Sequence, residues 1–288
     1  MKKFNYSFKA VWSIITINII SDDDKKIDNL AQNIYSLTTD FENKYSRFKE
    51  DSMLSLLNKS KSMNVDWDFV NLLLKSKEIY ELTNWYFNPL VNLSNIWYWK
   101  SWEENDFAVQ EQEENLDFEK VWIYWNNVDL LPWMNLDFGA IGKWFLADKI
   151  KSFLLSKWEE NFLLNVWGDI TASGKNLKNK YWSSWIQDPF YDKLLKALEL
   201  RGKSISTSWT YIRNWKIDNK KYHHILSPWK WQKNSISSVS IIDKYAYKTD
   251  SLATAILAMW KEEWIDFCEK NNISYAIVDN EWSFFNNL

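Results

Sequence analysis

Scarcity of glycine is the feature that most constrains this chain, because glycine is the residue that most readily adopts the left-handed backbone of tight turns. Only 5 of the 288 residues are glycine, whereas 21 are tryptophan. Average usage of about 7% would give roughly 20 glycines. Either other residues occupy the turn positions that usually need glycine, or the two residue types have been exchanged.

The positions of several tryptophans favour an exchange. Trp215 lies in Arg-Asn-Trp-Lys, and Trp229 and Trp231 lie in Ser-Pro-Trp-Lys-Trp-Gln, which are segments typical of turns. Trp260 and Trp264 follow predicted helices, where glycine is a common C-cap. We hypothesise that most tryptophan codons are UGA, read as glycine in the source organism. The alternative, a tryptophan-rich carbohydrate-binding protein, predicts aromatic side chains along exposed strands instead.

Composition excludes several classes of protein. A formal net charge of −3 argues against a nucleic-acid-binding surface. No run of about 18 apolar residues is present, so no transmembrane segment is expected. Cys268 is the single cysteine, which excludes a disulfide framework and a multi-cysteine metal site, and we expect it to be buried. The length fits one large domain or two intimately packed ones, and we expect a single domain spanning residues 1–288.

The N-terminal segment resembles a signal peptide only superficially. Two lysines precede an apolar stretch, but polar residues interrupt it and no small-residue cleavage site follows. Val11, Ser13, Ile15, Ile17 and Ile19 alternate with their neighbours, which predicts the first strand. The sequence leaves the location open: as written, the chain would be cytoplasmic. It would be extracytoplasmic if an upstream signal or lipobox cysteine is missing.

Hydrophobic periodicity predicts helices and strands that mix without a strict βαβ rhythm, which indicates an α+β, or mixed α/β, fold. Residues 95–135 are polar and acidic, with short strands. Helices are predicted at 22–46, 51–59, 66–84, 137–157 and 248–260, with a final helix after 260. Strands are predicted at 161–166, 181–187, 203–208, 236–242 and 274–278.

A glycine-containing turn before the predicted helix at 137–157 is the first candidate site. Asp137, Gly139 and Gly142 lead into this helix, and Lys143 follows at its start. Amide groups at a helix N-terminus together with a lysine favour a phosphate. An ordinary strand-to-helix turn explains the same residues equally well.

A second candidate is the pair Asp250 and Thr254. These residues are four apart, so a helix places them on one face. Carboxylate and hydroxyl oxygens suit Mg²⁺, which commonly takes few protein ligands and keeps substrate phosphates. Taken alone, Asp250 would more simply be a helix N-cap.

Two further segments carry weaker signals. His223 and His224 are the only histidines, and adjacent residues of a strand face opposite sides, so at most one faces a given site. Phe48, near the helix start at Asp51 and Ser52, could stack on a flavin or adenine ring or could simply pack in the core.

In their order along the chain and in their sequences, these segments together resemble the FAD:protein FMN transferase family, also called the ApbE or flavin transferase family. The resemblance spans about residues 8–262. Trp182 matches a tryptophan of the family. The matching sequence segments are YSRFKEDSMLSLLN, TNWYFNPLV, LDFGAIGKWFLAD, LLNVWGDITASG, SISTSWTYIR, HHILSPWKWQ and KTDSLATAILAMW. The family has glycine where this chain has Trp12, Trp85, Trp144, Trp167, Trp209, Trp231 and Trp260.

The resemblance implies a fold of two intimately packed α/β subdomains and a set of site residues. It implies Mg²⁺ ligands at Asp250 and Thr254, with a further ligand from the backbone carbonyl of Ala140. Ala253 lacks the extra carboxylate of some members, which leaves a second metal in doubt. FAD contacts are implied for Val11, Phe48, Phe87, Asn88, Pro89, Asp137, Lys143 and Ile225.

Two of these positions depart from the family pattern. Asn88 replaces a more usual Asp, which keeps the size and removes the charge. Val11 replaces a Met, so packing against the flavin ring should change there without loss of function.

The implied activity is Mg²⁺-dependent transfer of FMN from FAD to a threonine hydroxyl of a partner flavoprotein, with release of AMP. His224 is the candidate for positioning the hydroxyl or removing its proton, and Asp250 could contribute. Two alternatives remain at this point. One is an FAD pyrophosphatase that uses water at the same site, and the other is a non-catalytic FAD-binding protein.

Overall fold

The computed structural model describes residues 1–10, 13–90, 116–166, 168–209, 214–217, 220–223, 235–259 and 261–288. Six α-helices are described: α1 Asp24–Tyr45, α2 Met53–Ser60, α3 Trp67–Leu82, α4 Gly142–Ser156, α5 Ala246–Leu257 and α6 Lys261–Lys270. Eight strands precede residue 190: β1 Lys2–Ala10, β2 Ser13–Ser21, β3 Ser62–Asn64, β4 Trp122–Tyr124, β5 Asn127–Asp129, β6 Phe162–Val166, β7 Asp169–Ser173 and β8 Trp182–Gln187. Seven follow: β9 Leu194–Leu200, β10 Ser204–Trp209, β11 Asn214–Ile217, β12 Lys220–His223, β13 Ile236–Asp243, β14 Ser274–Asp279 and β15 Phe284–Asn286.

An antiparallel eight-stranded sheet, in the order β1-β2-β6-β7-β10-β13-β14-β15, forms the centre of the fold. Smaller sheets pair β3-β5-β4, β8-β9 and β11-β12. Strands and helices alternate irregularly along the chain, so the predicted α+β, or mixed α/β, class is confirmed.

Side chains that alternate along β2 show that the sheet separates two hydrophobic cores. Ile15, Ile17 and Ile19 are buried in the large core that also contains α1, α4 and α5. Ile20 points to the opposite face, into a smaller core that includes Trp182 of the β8-β9 hairpin. Helices therefore cover one face of the sheet, and this places α4 and α5 side by side.

Local signals explain where most helices begin. Asp23, Ser52 and Asp66 each accept a hydrogen bond from a backbone N–H in the first turn of α1, α2 and α3, respectively. The predicted helix start near Asp51 and Ser52 is therefore confirmed. Cys268 is buried in the core, as expected.

The structure corrects several sequence predictions. The N-terminal segment forms two paired strands, β1 and β2, where one was predicted. Strands β7, β9 and β15 were not predicted, because short strands with mixed burial carry little periodic signal. Asp250 is the fifth residue of α5 and not an N-cap, since the N-cap is Tyr245. No helix among the described residues is long and apolar enough to span a bilayer.

Among the tryptophans that the structure describes, four have positive φ: Trp85 at 75°, Trp125 at 56°, Trp158 at 61° and Trp282 at 69°. Trp144 and Trp209, which stand at glycine positions of the resemblance, are not among them. Such values are outliers for bulky residues. The exchange of glycine for tryptophan itself stays a prediction.

Two of these positions are recognisable glycine sites. Trp125 is the first residue of the two-residue loop between Tyr124 and Asn127 of the β4-β5 hairpin, where glycine is favoured. Trp158 follows α4 at the position that glycine usually takes in a Schellman motif. Its N–H donates to the carbonyl of Leu155 and that of Glu159 donates to the carbonyl of Leu154, at 3.0 and 3.1 Å.

Other tryptophans differ from expectation. Trp264 lies inside α6, packed between Tyr275 and Phe285 with ring centroids 6.2 and 5.2 Å away, so its predicted place at a helix end is wrong. Trp144 lies inside α4 and is buried. Trp12, Trp167, Trp229, Trp231 and Trp260 lie outside the described residues.

Candidate functional site

The loop before α4 is held in shape by Asp137. Its Oδ1 accepts a hydrogen bond from the N–H of Gly139 at 2.7 Å, and its own N–H donates to the carbonyl of Pro89 at 2.8 Å. Arg47 forms an ion pair with the other carboxylate oxygen. A Cβ on Gly139 would lie 3.0 Å from Oδ1, so glycine allows the close approach. Asp137 thus joins three separate segments at this turn.

The N-terminus of α4 lacks a side-chain cap. Its N-cap residue, Ile141, has no side-chain hydrogen-bond acceptor for the first-turn amides. The N–H groups of Gly142 and Trp144 donate instead to the carbonyls of Phe138 and Ile141, at 2.6 and 3.2 Å. The positive end of the helix dipole still favours an anion. Lys143, half-buried in the first turn, adds a positive charge. The expectation of a phosphate-binding helix start stays a prediction.

Helices α4 and α5 run antiparallel, which brings the two candidate segments together. Asp148, two turns into α4, contacts the start of α5 at Ala246. Further along α5, the hydroxyl of Ser251 donates to the carbonyl of Ala140 at 3.3 Å. Asp250, the neighbour of Ser251, therefore lies beside the loop that leads into α4.

The resemblance implies an all-oxygen donor set for Mg²⁺ in these two segments. It consists of the Asp250 carboxylate, the Thr254 hydroxyl and the Ala140 carbonyl. Ser208 lies behind Thr254, with 3.4 Å between their hydroxyl oxygens. No cluster of three or more His, Cys, Asp or Glu side chains suited to a metal occurs among the described residues. Such a set fits Mg²⁺ only if a substrate phosphate or water completes the coordination.

The expected FAD contacts divide into exposed and buried groups. The Phe48 side chain is 45% exposed, and the Arg47 guanidinium lies 4.7 Å from its ring centroid. Phe87 is buried in the core, which leaves its backbone for any contact with a ligand. The Asn88 side chain donates to the carbonyl of Leu116 at 2.7 Å. Val11, His224 and Ile225 lie outside the residues that the structure describes.

Sequence reasoning missed three residues of this region: Arg47, Asp148 and Ser208. Arg47 and Ser208 lie within the matching segments YSRFKEDSMLSLLN and SISTSWTYIR. The sequence of these segments does not show which residues they contact. Asp148 ends the segment LDFGAIGKWFLAD. Their partners lie far away in sequence, and only the fold shows them.

Solved structures with this fold define its class. The flavin transferase ApbE of Vibrio cholerae superposes with a TM-score of 0.86 at 23% identity, covering 99% of this chain and 96% of that one. The ApbE protein of Thermotoga maritima superposes with a TM-score of 0.88 at 22% identity, covering 99% and 97%. At this level of identity the likeness shows the fold, which is that of the flavin transferases.

The chain belongs to the ApbE family, whose model matches residues 10–277. Relatives named FAD:protein FMN transferase occur in several bacteria. The one from Treponema pallidum is 29% identical over 259 residues, which is 81% of this chain and 72% of that protein. The one from Haemophilus influenzae is 23% identical over 279 residues, or 88% and 79%. One from Klebsiella pneumoniae is 32% identical over 136 residues, which covers 46% of this chain and 41% of that protein.

Proposed function

We propose that this chain transfers FMN from FAD to a threonine hydroxyl of an acceptor protein and releases AMP. Transfer of FMN from FAD to a protein follows from membership of the ApbE family and from the names of its relatives. The use of Mg²⁺, the threonine acceptor and the roles of individual residues are the finer parts of the proposal.

One observation carries the proposal for the metal. The hydroxyl of Ser251 contacts the carbonyl of Ala140, so the loop before α4 meets α5 next to Asp250. Asp250, Thr254 and the Ala140 carbonyl would hold Mg²⁺ there. When bound, the ion would neutralise charge on the pyrophosphate of FAD. These ligands include a single carboxylate, which leaves coordination positions for the substrate.

The start of α4 is suited to bind the pyrophosphate. Lys143 supplies a positive charge, and the positive end of the helix dipole adds to it. Asp137 shapes the loop through Gly139 and Arg47. In this proposal Phe48 stacks on a ring of FAD. The backbone of Phe87, Asn88 and Pro89, with Val11 and Ile225, would line the rest of the site.

The transfer step is an in-line displacement at phosphorus. The threonine oxygen of the acceptor forms a bond to the phosphorus of the FMN half. The bond between that phosphorus and the bridging oxygen breaks, and AMP leaves with the bridging oxygen. The hydroxyl proton must leave as the new bond forms, and we assign its removal to His224.

Release of AMP and covalent flavin on the acceptor together test the proposed activity. The chain is incubated with FAD, Mg²⁺ and an acceptor that carries the target threonine, or the same acceptor with that threonine replaced by alanine. A transferase releases AMP only with the threonine acceptor. AMP release that is equal with both acceptors would indicate a pyrophosphatase, and AMP release with neither would contradict catalysis.

Substitutions in α5 test the metal ligands. Asp250→Ala should abolish turnover, because the pyrophosphate then lacks its main counter-ion. Thr254→Ala should have a milder effect, since water can replace a neutral ligand. Asp266→Ala, at an exposed position of α6, is the matched control and should be as active as wild type. Full activity of Asp250→Ala would remove the metal-site assignment.

His224→Ala separates a role in proton transfer from a role in binding. Loss of a general base typically lowers the rate by about 10²–10⁴-fold. We expect that loss at saturating FAD, with the affinity for FAD little changed. An equal fall in FAD affinity would make His224 a binding residue.

A further inference from the structure

We propose that Asp148 is a positioning residue for the magnesium site, an inference that rests on the function proposed above. Its two carboxylate oxygens each accept a backbone hydrogen bond from the start of α5. Oδ1 accepts from the N–H of Ala246 and Oδ2 from the N–H of Tyr247, both at 3.0 Å. Asp148 belongs to α4, so this contact fixes one helix against the other.

Helix α5 depends on this contact because it has no cap of its own. Tyr245, its N-cap residue, provides no side-chain hydrogen bond to the first turn. The first-turn amides of a helix need partners from outside the helix, and a carboxylate also interacts favourably with the helix dipole. Asp148 therefore supplies from α4 what a serine or aspartate N-cap supplies in α1, α2 and α3.

A second residue of α4 supports the same junction. Lys151, one turn after Asp148, donates to the carbonyl of Lys244 at 3.1 Å and to that of Gly202 at 2.8 Å. The segment entering α5 is thus held by an anchoring pair in α4. Asp148 binds the amides of the helix and Lys151 binds the carbonyl before it.

The position of the anchoring pair explains why it matters for the metal. Asp250 comes three residues after Tyr247, which is less than one turn of helix. Further along α5, the hydrogen bond from the Ser251 hydroxyl to the Ala140 carbonyl is long, at 3.3 Å. Magnesium requires ligands at about 2.0–2.1 Å. A small axial shift of α5 would therefore separate Asp250 and Thr254 from the Ala140 carbonyl.

Metal binding measured without turnover tests this inference. Mn²⁺ serves as the probe, titrated by electron paramagnetic resonance in the presence of ADP, which carries a pyrophosphate but no flavin. Asp148→Ala should weaken Mn²⁺ binding by about tenfold or more, as loss of residues that orient metal ligands typically does. Asp148→Asn keeps one acceptor oxygen and should recover part of the affinity. Circular dichroism confirms that each variant is folded.

Asp23→Ala is the matched control, because Asp23 caps α1 through the N–H of Lys26 at 3.0 Å, away from the site. It should lose stability without losing Mn²⁺ affinity. Unchanged Mn²⁺ affinity in a folded Asp148→Ala protein overturns the inference. If that variant does not fold, unchanged affinity in Asp148→Asn overturns it instead. Wild-type Mn²⁺ affinity in Asp250→Ala would contradict the magnesium site itself, which is a separate failure.

Discussion

The indole N–H of Trp182 donates to the carbonyl of Ser173 at 2.9 Å, which joins β8 to the end of β7. Trp144 and Trp264 are also buried, but their indole N–H groups have no acceptor among the described residues. A buried unsatisfied donor costs about 1–3 kcal/mol. Trp182, which matches a tryptophan of the family, thus has the environment of a native indole. Trp144, at a family glycine position, does not.

Peptide mass spectrometry of the protein purified from its source should find glycine at Trp85, Trp125, Trp158 and Trp282. Each has positive φ, a conformation that glycine adopts without steric cost. The peptide containing Trp182 should retain the mass of tryptophan and provides an internal control. Tryptophan in all five peptides would show that UGA is not read as glycine.

Trp158→Gly should stabilise the chain as written by about 1 kcal/mol, because a side chain in the left-handed region costs roughly that much. The indole is 85% exposed, so little packing is lost. Trp185→Gly is the control, since Trp185 is exposed within strand β8, where glycine weakens the strand. Urea denaturation should show opposite signs for the two variants, and a loss of stability in Trp158→Gly would contradict the argument.

Arg47→Ala should lower the free energy of unfolding by about 3 kcal/mol, because it leaves Asp137 as a buried, unpaired carboxylate. The affinity for FAD should fall as well, since Asp137 shapes the loop before α4. Arg201→Ala breaks an exposed pair with Glu199 and should leave both quantities nearly unchanged. Urea denaturation and fluorescence titration with FAD measure them. Wild-type FAD affinity in a folded Arg47→Ala protein would show that the ion pair does not contribute to FAD binding.

Glu78 should make stability depend on pH in the acid range. Burial alone would raise its pKa, but hydrogen bonds from Lys248, Lys75 and Tyr247 outweigh this and lower the pKa from 4.5 to about 2. A carboxylate with a lowered pKa stabilises the fold above its unfolded pKa, and this contribution is lost as the pH falls towards the folded pKa. Glu78→Gln should therefore have a lower Tm than wild type at neutral pH.

The Tm difference between wild type and Glu78→Gln should shrink as the pH falls from about 4.5 to about 2. Glu81→Gln is the control, because Glu81 forms a looser pair with Lys77 at 3.7 Å on the same helix. Thermal unfolding at a series of pH values measures both variants. A difference that stays constant over this pH range would exclude the proposed contribution of Glu78.

Local signals in the sequence predicted much of the fold. Residues 66–84 formed α3 with Asp66 as its cap, and residues 137–157 contained α4. These elements depend on periodicity and capping, which involve neighbours three or four residues apart. Residues 248–260 contained most of α5, although its start at Ala246 was missed because its cap comes from Asp148.

The sequence by itself determined the family, the class of fold and the identity of the candidate ligands, because these are carried by the order of residues along the chain. Only the tertiary structure decided which of them meet. The contacts of Asp137 with Arg47, and of Ala140 with Ser251, join residues 90 and 111 positions apart. No periodicity reports such pairs, since they form only when the large core brings α1, α4 and α5 together on one face of the sheet.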